Sequence, residues 1–219
     1  MDHQEASSEV EHILSADLGA LANGEDWSVR PPVALQSWKI SVRDKEVLSD
    51  HGLPSVPSGD RLMRVGAHFQ HSSEPEFSAA DWRGYVIGRC GEVTIVVNEG
   101  SGSVIAVPEV REIGPALAHL HPGGVQDETI NSRVVSFVDL CWRWYWLAPI
   151  LVDQRDRADR AEMEAREAAG KSGNRGADVD FHVPYRELCS KVRASFCGKE
   201  QLMVGNLDSM WSIMIDGFE

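Results

Sequence analysis

Apolar positions recur with a helical period at both ends of the chain and with a strand period in its middle. Near the start, Val10, Ile13, Leu14, Leu18 and Leu21 fall on one stripe. Ser8-x-x-Glu11 ahead of them forms a capping box, in which each side chain satisfies an orphan backbone N–H of the other. With Asn23-Gly24 as the stop, residues 1–26 are predicted to form one acidic helix with a single core face. From Trp27 to Gly59 the pattern is broken by Pro31-Pro32, Pro54 and Pro57. Val29, Val33 and Leu35 suggest an irregular extended segment, followed by a short helix over 42–50. Gly52 can take the left-handed cap of that helix, and Pro54 cannot continue it.

The strand signal is clearest next. LMRVG (62–66) is a short strand candidate, and a Ser-, Glu- and Pro-rich loop over 70–81 separates it from YVIG (85–88), VTIVVN (93–98) and SVIAV (103–107). These β-branched runs are joined by Cys90-Gly91 and by Glu99-Gly100-Ser101-Gly102, the signature of an antiparallel meander. The strongest helical pattern follows over 131–152, opened by Asn131 or Ser132. Trp142, Trp144 and Trp146 alternate within it, so at least one must leave the core stripe. Pro149 is expected to end or kink it. Residues 153–170 carry opposite charges four apart (Asp153/Arg157, Asp156/Arg160, Glu162/Arg166) and almost no apolar face, which predicts a helix projecting into solvent. Residues 171–178 read as a linker, closing a charged helix-and-linker insertion over 153–178. A helix over Tyr185–Phe196 presents Leu188, Val192 and Phe196 on one side. The last one is predicted to be capped by Asp208, to bury Trp211, Met214 and Ile215, and to stop at Gly217.

Composition changes this picture chiefly through charge. The 219 residues, 42% hydrophobic and 25% charged, suit one large domain or two small ones at roughly 150 residues per domain, and we read them as one. Asp and Glu number 34 against 21 Lys and Arg, a formal net charge of −13. Seven of those acids (Asp2, Glu5, Glu9, Glu11, Asp17, Glu25, Asp26) lie in residues 1–26, with no Lys or Arg among them. Such a surface repels phosphate backbones and attracts basic partners, which excludes a general nucleic-acid binder. MDHQEASSEVEH lacks the basic and apolar regions of a secretory signal, and the most apolar stretch, Val134 to Val152, is interrupted by Asp139, Arg143 and Pro149. A cytoplasmic protein without a membrane span is expected. Its cysteines (90, 141, 189, 197) lack metal-binding spacing and are read as reduced thiols.

Candidate chemistry is sparse. His119-Leu-His121 could hold a metal with Asp127 or Glu128, or be two surface histidines at a helix end, where positive charge suits the dipole. The glycines of GRCG (88–91) and GSG (100–102) sit between strands and read as hairpin turns rather than phosphate cradles. Carboxylate pairs such as Glu74/Glu76 and Glu109/Glu112 lie on polar loops where burial would not raise a pKa. No enzyme and no cofactor is expected.

Two stretches resemble a known family. Gly52-Leu53-Pro54 leads into Met63-Arg64-Val65-Gly66, and Val86-Ile87-Gly88 opens a meander with a Gly-rich turn before Asn131-Ser132 starts a helix carrying Phe137. With the late Trp211-Ser212 helix, their order resembles the SUKH superfamily, most closely its fourth bacterial subfamily, over about 45–150 and again at 205–218. The resemblance implies an α+β fold with a central, mostly antiparallel β-sheet flanked by helices. It also implies an immunity protein that binds and blocks the toxin domain of a polymorphic toxin, commonly a nuclease or a nucleic-acid deaminase. Residues 1–26 and 153–169 look like additions to that pattern. A protein-interaction scaffold or regulator on the same fold is the alternative, since a fold does not fix a role.

A nuclease toxin must be basic where it holds phosphates, and an inhibitor at −13 would be steered to it. The candidate partner-binding residues are therefore exposed acids on irregular backbone: Glu74, Glu76 and Asp81 in the long loop, with Glu92 and Glu99 at hairpin turns. Trp82, beside Asp81, would be a hot-spot anchor or simply core.

Overall fold

The computed structural model describes residues 1–24, 27–57, 60, 62–79, 81–109, 126–172 and 179–216. The meander forms where the strand pattern places it: β5 (Arg83–Cys90), β6 (Val93–Asn98) and β7 (Val104–Pro108), each antiparallel to the next. β8 (Glu128–Asn131) extends it beyond β7. The short β3 (Gly66–Ala67) and β4 (Phe77–Ser78) both pair with β5, giving six strands in the order β3-β5-β6-β7-β8 with β4 off the path. β1 (Ser28–Val29) and β2 (Leu53–Pro54) form a separate ribbon.

Alternation sorts the sheet into two faces. Tyr85, Ile87, Ile95, Val97, Val104 and Ala106 join the main core, whereas Val96, Ile105 and Val107 form a second buried cluster with Phe77, Trp82 and Val86 packed against it. Over the main face lies α4, Val134–Ser172, 39 residues and about 58 Å long at 1.5 Å per residue. It touches α1 (His3–Ser15), α2 (Leu18–Leu21), α3 (Val42–His51) and α5 (Val183–Lys199), as well as β2 and β8. Trp142 and Trp144 are fully buried there, and their indole N–H groups donate to the carbonyls of Gly52 and Met63, each at 3.3 Å. The short α6 (Met210–Asp216) buries Trp211, Met214 and Ile215 as expected.

Several boundaries differ from the sequence expectation, each for a visible reason. The N-terminal segment is two helices. α1 starts five residues earlier than Ser8, with Asp2 and Glu5 as the reciprocal capping pair (3.0 and 2.8 Å). It ends where the buried guanidinium of Arg143 takes the carbonyls of Ile13 and Ala16, a cation at a helix C-terminus. Val33–Ser37 coils into a 3-10 turn instead of extending. Pairing in LMRVG begins only at Gly66, because Met63 adopts a positive φ of 50° and turns the chain. The predicted cap at Gly52 is present, at φ 60°, and a side chain there would collide with the Val29 carbonyl.

Pro149 neither ends α4 nor separates it from the charged segment. Its own ring is exposed, while burial of Leu147, Ile150 and Leu151, at about 1.5–3 kcal/mol each, outweighs the roughly 3 kcal/mol a helix-interior proline costs. Gln154 and Ala158 are buried too, so the helix leaves the body late: the side chains of 163–168 are all exposed. Asp153–Arg157 (3.2 Å) and Glu162–Arg166 pair as the spacing predicts, but Asp156 is met by Arg155 (3.1 Å) in place of Arg160. α4 includes 171–172, and the rest of the expected linker lies outside the described residues, as does Gly217. The α6 cap is Ser209, whose Oγ accepts from the Ser212 N–H at 3.2 Å, not Asp208. None of the four cysteines forms a disulfide, three of them are buried, and burial pushes the Cys90 thiol up to about 11.

One buried carboxylate joins the ends of these elements. Glu200, 1% exposed, accepts from the Ser132 N–H (2.9 Å) and hydroxyl (3.1 Å), the Ser136 hydroxyl (2.8 Å), the Asn131 amide (3.1 Å) and the Leu202 N–H (3.2 Å). Asn131, which ends β8, in turn accepts from the Trp211 indole at 2.9 Å. Asn131 and Ser132, expected to cap α4, thus serve this junction. Burial alone would raise the Glu200 pKa, but the bonds from Ser132, Ser136 and Leu202 hold it below the ordinary glutamate range. Glu200→Ala should cost about 2–4 kcal/mol in urea unfolding, the cost of stranding several buried donors. Because the folded pKa is depressed, this stabilisation is complete above the ordinary value of about 4.3. It is lost as pH falls through the lower folded value, so the gap between wild type and variant should narrow below about pH 4 and stay constant from pH 6 to 8.

Candidate partner-binding surface

The loop from 70 to 82 is built around Gln70, 5% exposed, whose amide N–H groups reach the carbonyls of Ser72 (3.1 Å) and Glu74 (2.8 Å). Its oxygen accepts from the N–H groups of Val86 (2.7 Å) and Glu76 (3.4 Å). Trp38, stacked on Tyr85 at 4.7 Å between ring centroids, adds an indole bond to the Ser72 carbonyl (3.0 Å). The loop carrying Glu74 and Glu76 is therefore fixed to the sheet by a glutamine and a tryptophan. Both acids point outward and are exposed.

Four of the six sequence candidates gather at one end of the meander. Asp81, Trp82 and Glu99 line an open groove of about 450 Å³ together with Ser78, Arg83 and Asn98, and Glu74 reaches Arg83 at 3.7 Å. Glu99 is the least free of them. Lys39 pairs with it at 3.0 Å, Arg83 approaches at 3.8 Å, and the Tyr85 hydroxyl donates at 3.4 Å. The Lys39 hydrogen bond chiefly lowers its pKa, so Glu99 is ionised and already matched. Asp81 is exposed and without an ion pair among the described residues.

Glu76 and Glu92 lie elsewhere. Glu76 borders a second cavity with Arg30, His68 and His71. Glu92 occupies the β5–β6 turn, the opposite end of β6 from Glu99 and about 20 Å away at 3.3 Å per residue. Arg89 and Glu109 pair near that end at 3.2 Å.

Trp82 has a packing role. It stacks on Phe77 (4.9 Å between centroids, 14° between planes) and covers Val96, Ile105 and Val107 on the outer sheet face. Its remaining exposed edge faces the groove. The sequence also leaves one surface unmarked: Trp27 and Trp146 meet edge to face at 6.5 Å, 51% and 37% exposed. The alternation of tryptophans in α4 signals that at least one of the three leaves the stripe, and it is Trp146 that does; nothing local signals that Trp27 would join it. His119 and His121 lie outside the described residues, and among the described residues no group of three His, Cys, Asp or Glu could hold a metal.

The arrangement is an α+β body with an open groove at one sheet end that carries Asp81, Trp82 and Glu99 beside Arg83. The chain belongs to the SUKH-4 immunity protein family, whose model matches residues 14–182. That span encloses the resemblance over 45–150 and runs across 153–169, and residues 205–218 lie beyond it. No curated protein and no solved structure matches the chain. No helix among the described residues is long and apolar enough to cross a membrane.

The contrast between Trp82 and Glu99 is testable by urea unfolding. Trp82→Ala should lose about 2–3 kcal/mol by uncovering the outer cluster, less than a fully buried tryptophan. Glu99→Gln should move the urea midpoint far less, since its Lys39 partner is largely exposed and the pair is screened.

Proposed function

We propose that this chain is an immunity protein that binds the toxic domain of a cognate polymorphic toxin one to one and blocks it without chemistry of its own. The observation that carries the reading is the family match over 14–182. The charge of −13 supports a partner with a basic working surface, which a nuclease or a nucleic-acid deaminase needs to hold its substrate. Steering matters to such an inhibitor because it must reach the toxin before damage accumulates, and complementary charge raises association rates more than affinity. Glu74, Asp81, Trp82 and Glu99 at the groove are the proposed contacts. Glu76 and Glu92 would take part only if the partner reaches around the loop or along the whole length of β6.

The decisive experiment expresses the toxin domain encoded beside this chain, alone and with it. Toxicity alone and growth on co-expression, with a one-to-one complex on purification, is the expected result. A toxin that still kills in the presence of soluble, folded immunity protein overturns the reading. Given a complex, Glu74→Lys with Asp81→Lys should slow association about tenfold at low salt with little change in dissociation. The difference should fade at about 0.5 M salt, where screening shortens to a few ångströms.

A further inference from the structure

The Trp27–Trp146 pair has a combination that core packing does not require: both rings are held in fixed positions and neither is covered. Trp146 donates its indole N–H to the Leu21 carbonyl at 3.0 Å and meets the ring of Tyr145 at 5.1 Å, 87° between planes. Trp27 is set by a turn in which its N–H donates to the Gly24 carbonyl (3.2 Å). Its ring lies so close over Gly24 that a β-carbon there would come within 2.7 Å of Cδ1. The Trp27 carbonyl then accepts from the Ser55 N–H (2.7 Å), tying the segment to the chain after β2. A side chain ordered before binding loses little entropy on binding, which is why rigid, half-exposed tryptophans make effective interface anchors.

Two acids lie on the elements that neighbour the pair. Asp17 begins α2, the helix whose end receives the Trp146 bond, and Asp50 lies in the last turn of α3. Those elements meet here, since Gly19 lies against the His51 ring and Ser28, next to Trp27, donates to the His51 carbonyl at 2.8 Å. Both acids are exposed and carry no ion pair among the described residues. Arg30, the nearest cation on the same strand segment, is turned onto the Ser49 carbonyl (2.8 Å). An exposed indole face with acids on the adjoining elements fits a guanidinium or ammonium group, which stacks on the ring with carboxylates near enough in the fold to attract its charge.

We propose that Trp27 and Trp146 form the anchor of the toxin interface, receiving an arginine or lysine from the toxin's basic surface, with Asp17 and Asp50 as its counter-charges. This rests on the immunity reading above and assigns the surface that carries most of the affinity. The groove at Glu74 and Asp81 then acts mainly in steering. α3 links the two sides of the molecule: its first turn is packed at Gly102 in the β6–β7 turn through Asp44, and its last holds Ser28, next to Trp27, over a length of about 15 Å. That length is within the reach of one interface of roughly 800 Å² per partner.

The test measures binding of a catalytically inactivated toxin domain to wild type, Trp27→Ala, Trp27→Tyr and Asp17→Asn with Asp50→Asn. Trp146 is left intact because its indole bond holds α2. Trp27→Ala should raise Kd at least tenfold through faster dissociation, with a thermal midpoint unchanged within about 2 °C for a half-exposed side chain. Trp27→Tyr should recover most of the loss, and the double Asn variant should weaken binding about fivefold. As a measurement free of any folding defect, the 19F resonance of 5-fluorotryptophan at position 27 should shift when unlabelled toxin is added to the otherwise wild-type protein. Binding within twofold of wild type for Trp27→Ala, or an unmoved resonance in a formed complex, overturns the anchor and leaves the immunity reading standing. Wild type that neither binds nor protects overturns both.

Discussion

The carboxylate of Glu200 closes a junction where the end of β8, the start of α4, the end of α5 and the turn leading to α6 all meet. Its oxygens receive donors from four residues, and Asn131 passes the connection on to Trp211. The carboxylate takes the Ser132 N–H just ahead of α4 and the Ser136 hydroxyl in the first turn of that helix, so the entry into α4 is fixed by a residue more than sixty positions away in sequence. Much of the fold inherits this arrangement. α4 is placed against the sheet at that end, and its buried tryptophans then fix the segments around Gly52 and Met63. Those segments in turn carry the ribbon and the edge strand, on which the exposed Trp27 and the pairing of β3 depend.

Charge is distributed with the same economy. Where an acid meets structure it is matched: Asp139 by Arg143 and Lys199, Asp60 by Arg64, Glu99 by Lys39. Arg64 also lies over the Tyr145 ring at 4.7 Å, so this cation spans an ion pair and the aromatic cluster under Trp146. The acids left unmatched, Asp17, Asp50 and Asp81 among them, lie on the rim. Net charge therefore acts as a long-range field, and the buried Glu200 and Asp44, which meet no cation among the described residues, are held by hydroxyl, amide and backbone donors instead.

How much of this was legible in the chain depends on the range of the interaction. The meander and the apolar half of α4 could be read because a period-two or period-3.6 pattern is itself the record of which face is buried. The misplaced boundaries share another origin. Arg143 cuts the first helix, Met63 delays the edge strand, and Leu147, Ile150 and Leu151 carry α4 past its proline, each through contacts distant in sequence. Glu200 shows no local signature, since a lone Glu after Lys199 looks like any surface acid. The candidate contacts divided for a simpler reason. Glu92 and Glu99 both occupy hairpin turns, but successive turns of a meander lie at opposite ends of the sheet. Trp27 escaped notice because its partner is 119 positions away.

α4 is one continuous helix by hydrogen bonding, yet its two halves belong to different thermodynamic units. Up to Ala158 each turn buries side chains in the core, so its amide protons can exchange with solvent only when the core itself opens. From Met163 to Ala168 the backbone ladder has no tertiary support, and a run this short is marginal as an isolated helix in water. Its amides exchange by fraying from the far end, without cost to the rest. The same helix thus holds the most protected and some of the least protected hydrogen bonds of the molecule. A protease that needs unwound backbone would find it at the outer end of α4 while the core stayed folded.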